Sequence, residues 1–393
     1  MNQYLDFFHT QRARIDAHAL PLLNAGRDAA AAAFARLGFP SRKMERYRYT
    51  DVADVFAPNY GIQVDGKQDN GTPADALCQQ LYGTLADVEG DALTALNAML
   101  TQDLTVVHVA AGERRQRPVR LTTRLRSTAP LMQNRRLLVV AEAGAEVQLL
   151  LGEHSEEGQD YLSTLVTEVF VGEGAHVEFY DLGHTHDRHH RFHQLYADVA
   201  AGGHFTHAAF TLSGGVSRNQ TDVRLTGEGA EANLLGCTIA DGTQHVDNNT
   251  LIDHRAPGCR SHELYKYVVD GHATGAFAGR VLVREEAQQT ESEERNANLI
   301  CTTDARMYTQ PMLEIYADDV QCSHGSTVGQ LAADALFYMR QRGISEAEAR
   351  LLLKQAFASE VINQIPLEAL RPQLHHLVEK RFRSCDDCQL CNR

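Results

Sequence analysis

Two metal ligands of different softness stand two residues apart in Leu313-Glu-Ile-Tyr-Ala-Asp-Asp-Val-Gln-Cys322-Ser-His324-Gly325. Alternation in a strand places Cys322 and His324 on one face, where a thiolate and an imidazole suit iron or zinc. Two ligands leave a coordination shell incomplete, so another chain or distant residues must supply the rest. The plainer reading of the pair is a half-buried cysteine and a hydrogen-bonded histidine closing a strand. Three thiols at two-residue gaps, Cys385, Cys388 and Cys391, can reach one metal or cluster, with His375 or His376 as candidate fourth ligand, or form a frayed reactive tail. Five histidines fall within His184-Thr-His186-Asp-Arg-His189-His190-Arg-Phe-His193. With no cysteine nearby, that run reads as a solvated or hydrogen-bonded loop between two strands. The acidic segment over residues 284–295 reads as a solvated surface rather than a catalytic carboxylate pair.

Enzyme signatures are missing. There is no Gly-x-x-x-x-Gly-Lys-Ser/Thr loop, no dinucleotide fingerprint and no His-Glu-x-x-His, and Gly325-Ser-Thr-Val-Gly329 places its serine one position away from a nucleophile elbow. No catalytic or cofactor-binding residue is therefore assigned.

The elements that must position Cys322 and His324 follow from the pattern around them. Leu313 and Ile315 alternate in odd register while Val320, Cys322 and His324 alternate in even register, so Asp318-Asp319 marks a turn or bulge between two strands. Gly325 and Gly329 read as the break after which a helical period begins. Upstream, from Leu104, the sequence has short β-branched and aromatic runs cut by glycine. The glycines 144, 174, 203 and 229, each in a strand, turn, strand context, are separated by 30, 29 and 26 residues. Such a period means stacked units that cannot bury an apolar face alone, and a β-helix fits it best.

Helices flank this region. Arg27-Asp-Ala-Ala-Ala-Ala-Ala-Phe-Ala-Arg-Leu37 is built of strong helix formers and stopped by Gly38 and Pro40. Residues 330–342 predict a helix capped by Gly343, and Ser345-Glu-Ala-Glu348 is a capping box opening a second, paired with the first as a hairpin. Ala349, Leu352, Leu353, Ala356 and Ile362 supply much of its apolar face, and a third short helix runs to Phe382. The organisation expected is a helical region over 1–100, a β-helix core over 101–325, and a helical region with a cysteine-rich tail over 326–393.

The 393 residues include 37 Lys and Arg against 51 Asp and Glu, a formal charge of -14, which disfavours nucleic acid and anionic membranes as partners. No apolar run approaches the ~18 residues that span a bilayer, and no signal segment opens the chain, so a cytoplasmic location is expected. Eight irregularly spread cysteines favour free thiols or metal ligands over a disulfide framework.

Several of these motifs carry a family resemblance. Asn298-Leu-Ile300, Pro311-Met-Leu-Glu-Ile-Tyr-Ala-Asp-Asp-Val320, Cys322-Ser-His-Gly325, Phe337-Tyr338 and Arg342-Gly-Ile344 are similar to the SufB/SufD family of iron–sulfur cluster assembly scaffold proteins. Asp253-His254-Arg-Ala-Pro257, Phe277-Ala-Gly279-Arg-Val281, Gly38-Phe-Pro40 and Tyr47-Arg-Tyr-Thr50 extend the likeness over nearly the whole chain. Cys322-Ser-His-Gly325 resembles the SufD branch. The resemblance implies a mainly β fold, a right-handed parallel β-helix between two helical regions, and a non-enzymatic role in a complex with SufB and the ATPase SufC. It implies C-terminal helices docked on SufC and β-helix surfaces on SufB. Iron or a nascent cluster would be held transiently and shared with SufB, and this chain would bind no nucleotide. By the same resemblance His324 is the metal ligand, a SufB cysteine its partner, Cys322 secondary, and a homodimer plausible for the chain alone. Two other classes remain: a carbohydrate-active β-helix enzyme, against which the absence of Trp counts, and an independent metal-binding protein using the cysteine tail.

Overall fold

Strand-forming segments of about ten residues, cut by short turns, must find partners outside themselves to bury an apolar face. In the computed structural model, which describes residues 2–62 and 76–383, they wind into a parallel β-solenoid. In chain order the strands are β1 (Gly61–Ile62), β2 (Asp103–Val109), β3 (Val119–Leu125), β4 (Leu131–Ala141), β5 (Glu146–Ser155), β6 (Tyr161–Val171), β7 (His176–His184), β8 (His189–Val199), β9 (His204–Ser213), β10 (Val216–Leu225), β11 (Glu231–Ala240), β12 (His245–His254), β13 (Arg260–Val269), β14 (Thr274–Val283), β15 (Thr290–Ile300), β16 (Arg306–Ile315) and β17 (Val320–Gly329). Even-numbered strands from β4 to β16 form one sheet, with β1 and β2 both on β4, and odd-numbered strands from β3 to β17 form the other. Each coil therefore gives one strand to each sheet. No helix among the described residues is long and apolar enough to cross a membrane.

The corner where an even strand passes to the next odd strand is built around a left-handed residue. Gly144, Gly174, Gly202 and Gly229 hold φ of 68°, 62°, 58° and 68°, a region that a side chain opposes. Their N–H groups form a ladder along the solenoid: Gly144 donates to Glu173 O at 2.8 Å, Gly174 to Ala201 O at 2.9 Å, and Gly202 to Glu228 O at 2.9 Å. Gly202, not Gly203, occupies the third turn. Gly203 is small for another reason, since a β-carbon there would sit 3.0 Å from Ala200 O. In the β14–β15 corner Gln289 takes this position with φ 59°, and its N–H meets Asp319 O in the β16–β17 turn. Asp318-Asp319 is thus a turn between strands of different sheets.

Inward-facing side chains make one elongated apolar core that includes Val139, Leu149, Val169, Phe179, Leu195 and Phe205, each fully buried aromatic or aliphatic group contributing about 1.5–3 kcal/mol. A polar column interrupts it. Arg191 donates to Asp181 at 2.7 and 2.8 Å, His193 Nδ1 meets the same carboxylate at 2.8 Å, and Arg135 pairs with Glu153 beside His189. His189, His190 and His193 therefore belong to β8, and two of them are buried between the sheets rather than solvated in a loop. Their alternation with Arg191 in a parallel strand explains it. Burial works against ionising Asp181, but Arg191 and His193 outweigh it and hold the carboxyl below its usual range.

The helices cover the outer sheet faces. Before the solenoid come α1 (Asn2–Ala17), α2 (Pro21–Ala25), α3 (Arg27–Leu37), α4 (Val52–Val55), α5 (Ala76–Leu81) and α6 (Ala92–Leu100). Their apolar faces pack with Met132, Leu162 and Phe192 of the even sheet. The segment Tyr47-Arg-Tyr-Thr50 straps that sheet: Arg218 stacks 4.0 Å over the Tyr47 ring, and Thr50 donates to Asp247 at 2.6 Å. Tyr49 stacks on Tyr308 of β16 at 4.7 Å. After the solenoid come α7 (Ala333–Gln341), α8 (Glu346–Asn363) and α9 (Arg371–Arg383). Ser345 caps α8 by accepting from Glu348 N, as the capping box predicts. Helices α8 and α9 lie on the odd sheet, packing Ala358, Val361, Ile362 and Leu374 against Phe210, Leu235 and Leu264. Leu352 and Ala356 face solvent, because the sheet meets the later turns of α8. Helix α7 contacts α8, as the hairpin predicts, and Arg340 pairs with Glu346 across the turn, but α7 buries no residue.

Replacing Arg191 by Met leaves buried carboxylates uncompensated and is expected to cost about 3–5 kcal/mol in urea unfolding. An unchanged midpoint would contradict the column's role. Because the Asp181 pKa is depressed on folding, its contribution is complete above the unfolded value of about 3.9 and is lost as pH falls through the lower folded value. Asp181→Asn should flatten that acid limb in pH-resolved melting.

Candidate functional site

The solenoid ends in a coil whose backbone is bonded, among the described residues, on one side only, β16 to β14 and β17 to β15. Such edges present free N–H and C=O groups to another chain. Around them Tyr308, Ile315, Tyr316 and Val328 are exposed, as are Phe337 and Tyr338 on α7. The strand β17 does not stop at Gly325 but continues to Gly329, because backbone bonds to β15 run through it without needing side chains.

Register places the two candidate ligands. Cys322 lies beside Ser292 and His324 beside Glu294, both of them inward-facing buried positions of β15. Cys322 and His324 therefore share the inner face, as alternation predicts. Their surroundings differ. Cys322 packs beside Val281, Val283, Ala287 and Ala317, and burial raises its thiol pKa, so the thiolate needed for a metal is disfavoured. His324 is exposed at the open end. Among the described residues no three His, Cys, Asp or Glu side chains converge closely enough to hold a metal, so His324 has no complete shell within them. Cys385, Cys388 and Cys391 lie outside the described residues.

Behind His324 stands a feature that reading by segment missed. Glu263 and Glu294 are register neighbours on β13 and β15, so Glu263, Glu294 and His324 form one column along the odd sheet. Both carboxyls are buried, and burial raises both pKa values. The segment 284–295 is therefore only half solvated: Glu291 and Glu293 face out and Glu294 faces in. The signal was present in the coil period, which aligns Glu263 with Glu294 and Glu294 with His324.

A groove of about 650 Å³ crosses the outer face of the odd sheet, with His204, Glu231, Arg260, His262 and Glu293 along it and Cys322 and Ser323 at its end. Its charges are partnered with one another, His204 Nδ1 lying 2.9 Å from Glu231 and Arg260 3.5 Å from the same carboxylate. They are not free ligands.

Comparison with known proteins agrees with this architecture. Residues 123–357 match the model of the SUF system FeS cluster assembly SufBD core domain, and residues 1–77 and 70–121 match that of the SufBD protein N-terminal region. The chain is 30% identical to the iron–sulfur cluster assembly protein SufD of Escherichia coli over 386 residues, 88% of this chain and 90% of that protein. It is 34% identical to an iron–sulfur cluster assembly SufBD family protein of Synechocystis over 73% of this chain and 65% of that protein. With a chloroplastic protein of Arabidopsis thaliana, ABCI7, it shares 26% over 90% of this chain and 85% of that protein. The solenoid core, the helical amino-terminal region and a full-length relative thus point the same way, and the chain belongs to the SufBD family of the SUF system for iron–sulfur cluster assembly.

Proposed function

We propose that the chain is a non-catalytic scaffold subunit of the SufD type, working in the cytoplasm with SufB and the ATPase SufC, and that its open end coil is where it meets SufB. The observation that carries this reading is the unpaired β16–β17 edge, ringed by exposed aromatic and aliphatic groups with His324 in the middle of β17. A solvent-exposed edge of this kind is an aggregation hazard unless a partner covers it. A second solenoid end supplies what it lacks, continuing the backbone ladders and burying the apolar rim. In the absence of SufB, a second copy of this chain meets the same need.

His324 then brings one neutral imidazole to iron or a nascent cluster, which is the cargo, and a SufB cysteine brings the thiolate that this coil does not offer. Cys322 is secondary because its thiol is tucked into an apolar pocket. Helices α7 to α9 dock SufC. Motion imposed on them by ATP turnover passes into β17 through the short link that joins α7 to it, and so reaches the end coil. The carbohydrate-active alternative draws no support from the family match. A metal site on Cys385, Cys388 and Cys391 rests on ligand chemistry alone.

His324→Ala is expected to leave folding stability within about 0.5 kcal/mol, as for an exposed side chain, while cluster delivery in cells dependent on this system falls. Normal delivery would remove His324 from the mechanism. Tyr316→Asp or Val328→Asp is expected to weaken SufB binding by about thirtyfold, near 2 kcal/mol. Unaltered calorimetric affinity in both variants would place the interface elsewhere.

A further inference from the structure

Seven carboxylates are buried among the described residues, and five of them have clear partners. Glu153 meets Arg135 and His189, Asp181 meets Arg191 and His193, Glu168 accepts from the backbone of Gly83, Leu85 and Ala86, Asp247 accepts from Thr50, and Asp253 pairs with Arg284. Glu263 and Glu294 are the exceptions. Both are 0% exposed, and no well-aligned hydrogen bond from a donor among the described residues reaches any of their four carboxylate oxygens, with only the Thr250 hydroxyl near Glu263. A buried carboxylate left in this state is costly. A proton shared between the two register neighbours would pair one oxygen of each and leave the other two oxygens unmet.

We propose that Glu263 and Glu294 form a divalent-cation site one coil inside His324, which holds ferrous iron through their carboxylates with the Thr250 hydroxyl as a third oxygen. Thr250 is the second observation: it is 2% exposed, and its hydroxyl reaches Glu263 without forming a well-aligned hydrogen bond. Gly279 makes the space, since a β-carbon there would fall 2.0 Å from Glu294 Oε1. Two carboxylates neutralise one dication, and hard oxygen donors favour Fe(II) or Mn(II) over softer thiophilic ions. The column fixes the route. Glu294 is next to His324 in register, about 4.8 Å along the sheet, and His324 occupies that position in the terminal coil. The site then loads iron behind the imidazole that presents it at the open end. The inference rests on the proposed role of that end, and the two are separable by experiment.

The test uses the purified full chain under anaerobic conditions, with Mn(II) followed by electron paramagnetic resonance and Fe(II) followed by calorimetry. One equivalent is expected to bind, with affinity reduced at least tenfold in Glu263→Gln/Glu294→Gln and largely retained in His324→Ala. No binding of either ion by the wild-type chain, or equal binding by the Gln variant, would overturn the site. Circular dichroism reports whether the double variant is folded. Should it not be, the wild-type chain decides alone: saturating Mn(II) must raise its melting temperature, and no shift overturns the site. If no metal binds but His324→Ala still abolishes cluster delivery, only the inner site fails. If metal binds as expected while His324→Ala delivers clusters normally, the role given to the end coil fails and the inner site stands.

Discussion

A parallel coil satisfies its backbone only when another coil lies on each side of it, and the rest of this molecule follows from that requirement. Each strand bonds to the strand one turn before and one turn after, so the fold propagates well but has no natural end. The first coils are joined by the short strands β1 and β2 on β4, with the helical region packed nearby on the even sheet. The last coil has no such cover among the described residues. The functional reading and the unmet hydrogen bonds are therefore one fact seen twice: the place that most needs a partner is the place that carries His324.

Stacking in register also concentrates chemistry. When strands run parallel without slippage, a residue at one position meets its counterparts from neighbouring coils at the strand spacing. Unlike charges can also compensate across the interior, as Arg191 of the even sheet does for Asp181 and Glu153 of the odd sheet. Two acidic groups at neighbouring register positions have no such relief, and burial raises the pKa of both Glu263 and Glu294. The helices packed outside cannot supply a counter-ion to the interior, because the sheet itself stands between. For the pair Glu263 and Glu294 the nearest opening is one coil away, at the end of the solenoid.

Much of the architecture was legible. Strand alternation and the glycine period are local properties, and so are the caps at Gly38 and Ser345, because each depends on a few neighbouring residues. Cys322 and His324 were assigned to one face by counting in twos, and the register agrees. The errors share a cause. The glycine period points to Gly203 where Gly202 makes the turn, the histidine run reads as a loop although part of it lies in β8, and segment 284–295 reads as a solvated surface although Glu294 faces in. In each case a shift of one or two residues, invisible to composition, moves a side chain from solvent to the interior.

Taken by itself, the sequence determined that parallel coils would form and where helices would bracket them, since periodicity and capping are written within a few turns of chain. It also placed a soft and a borderline ligand side by side at the junction. Only the tertiary structure decided that the thiol is half-buried in an apolar cluster while the imidazole is exposed at the open end, and that Glu263 and Glu294 line up behind it. The reason is physical: a column through successive coils depends on the length of every intervening turn, and those turns vary enough that register is settled by packing and hydrogen bonding across sheets rather than by any one segment.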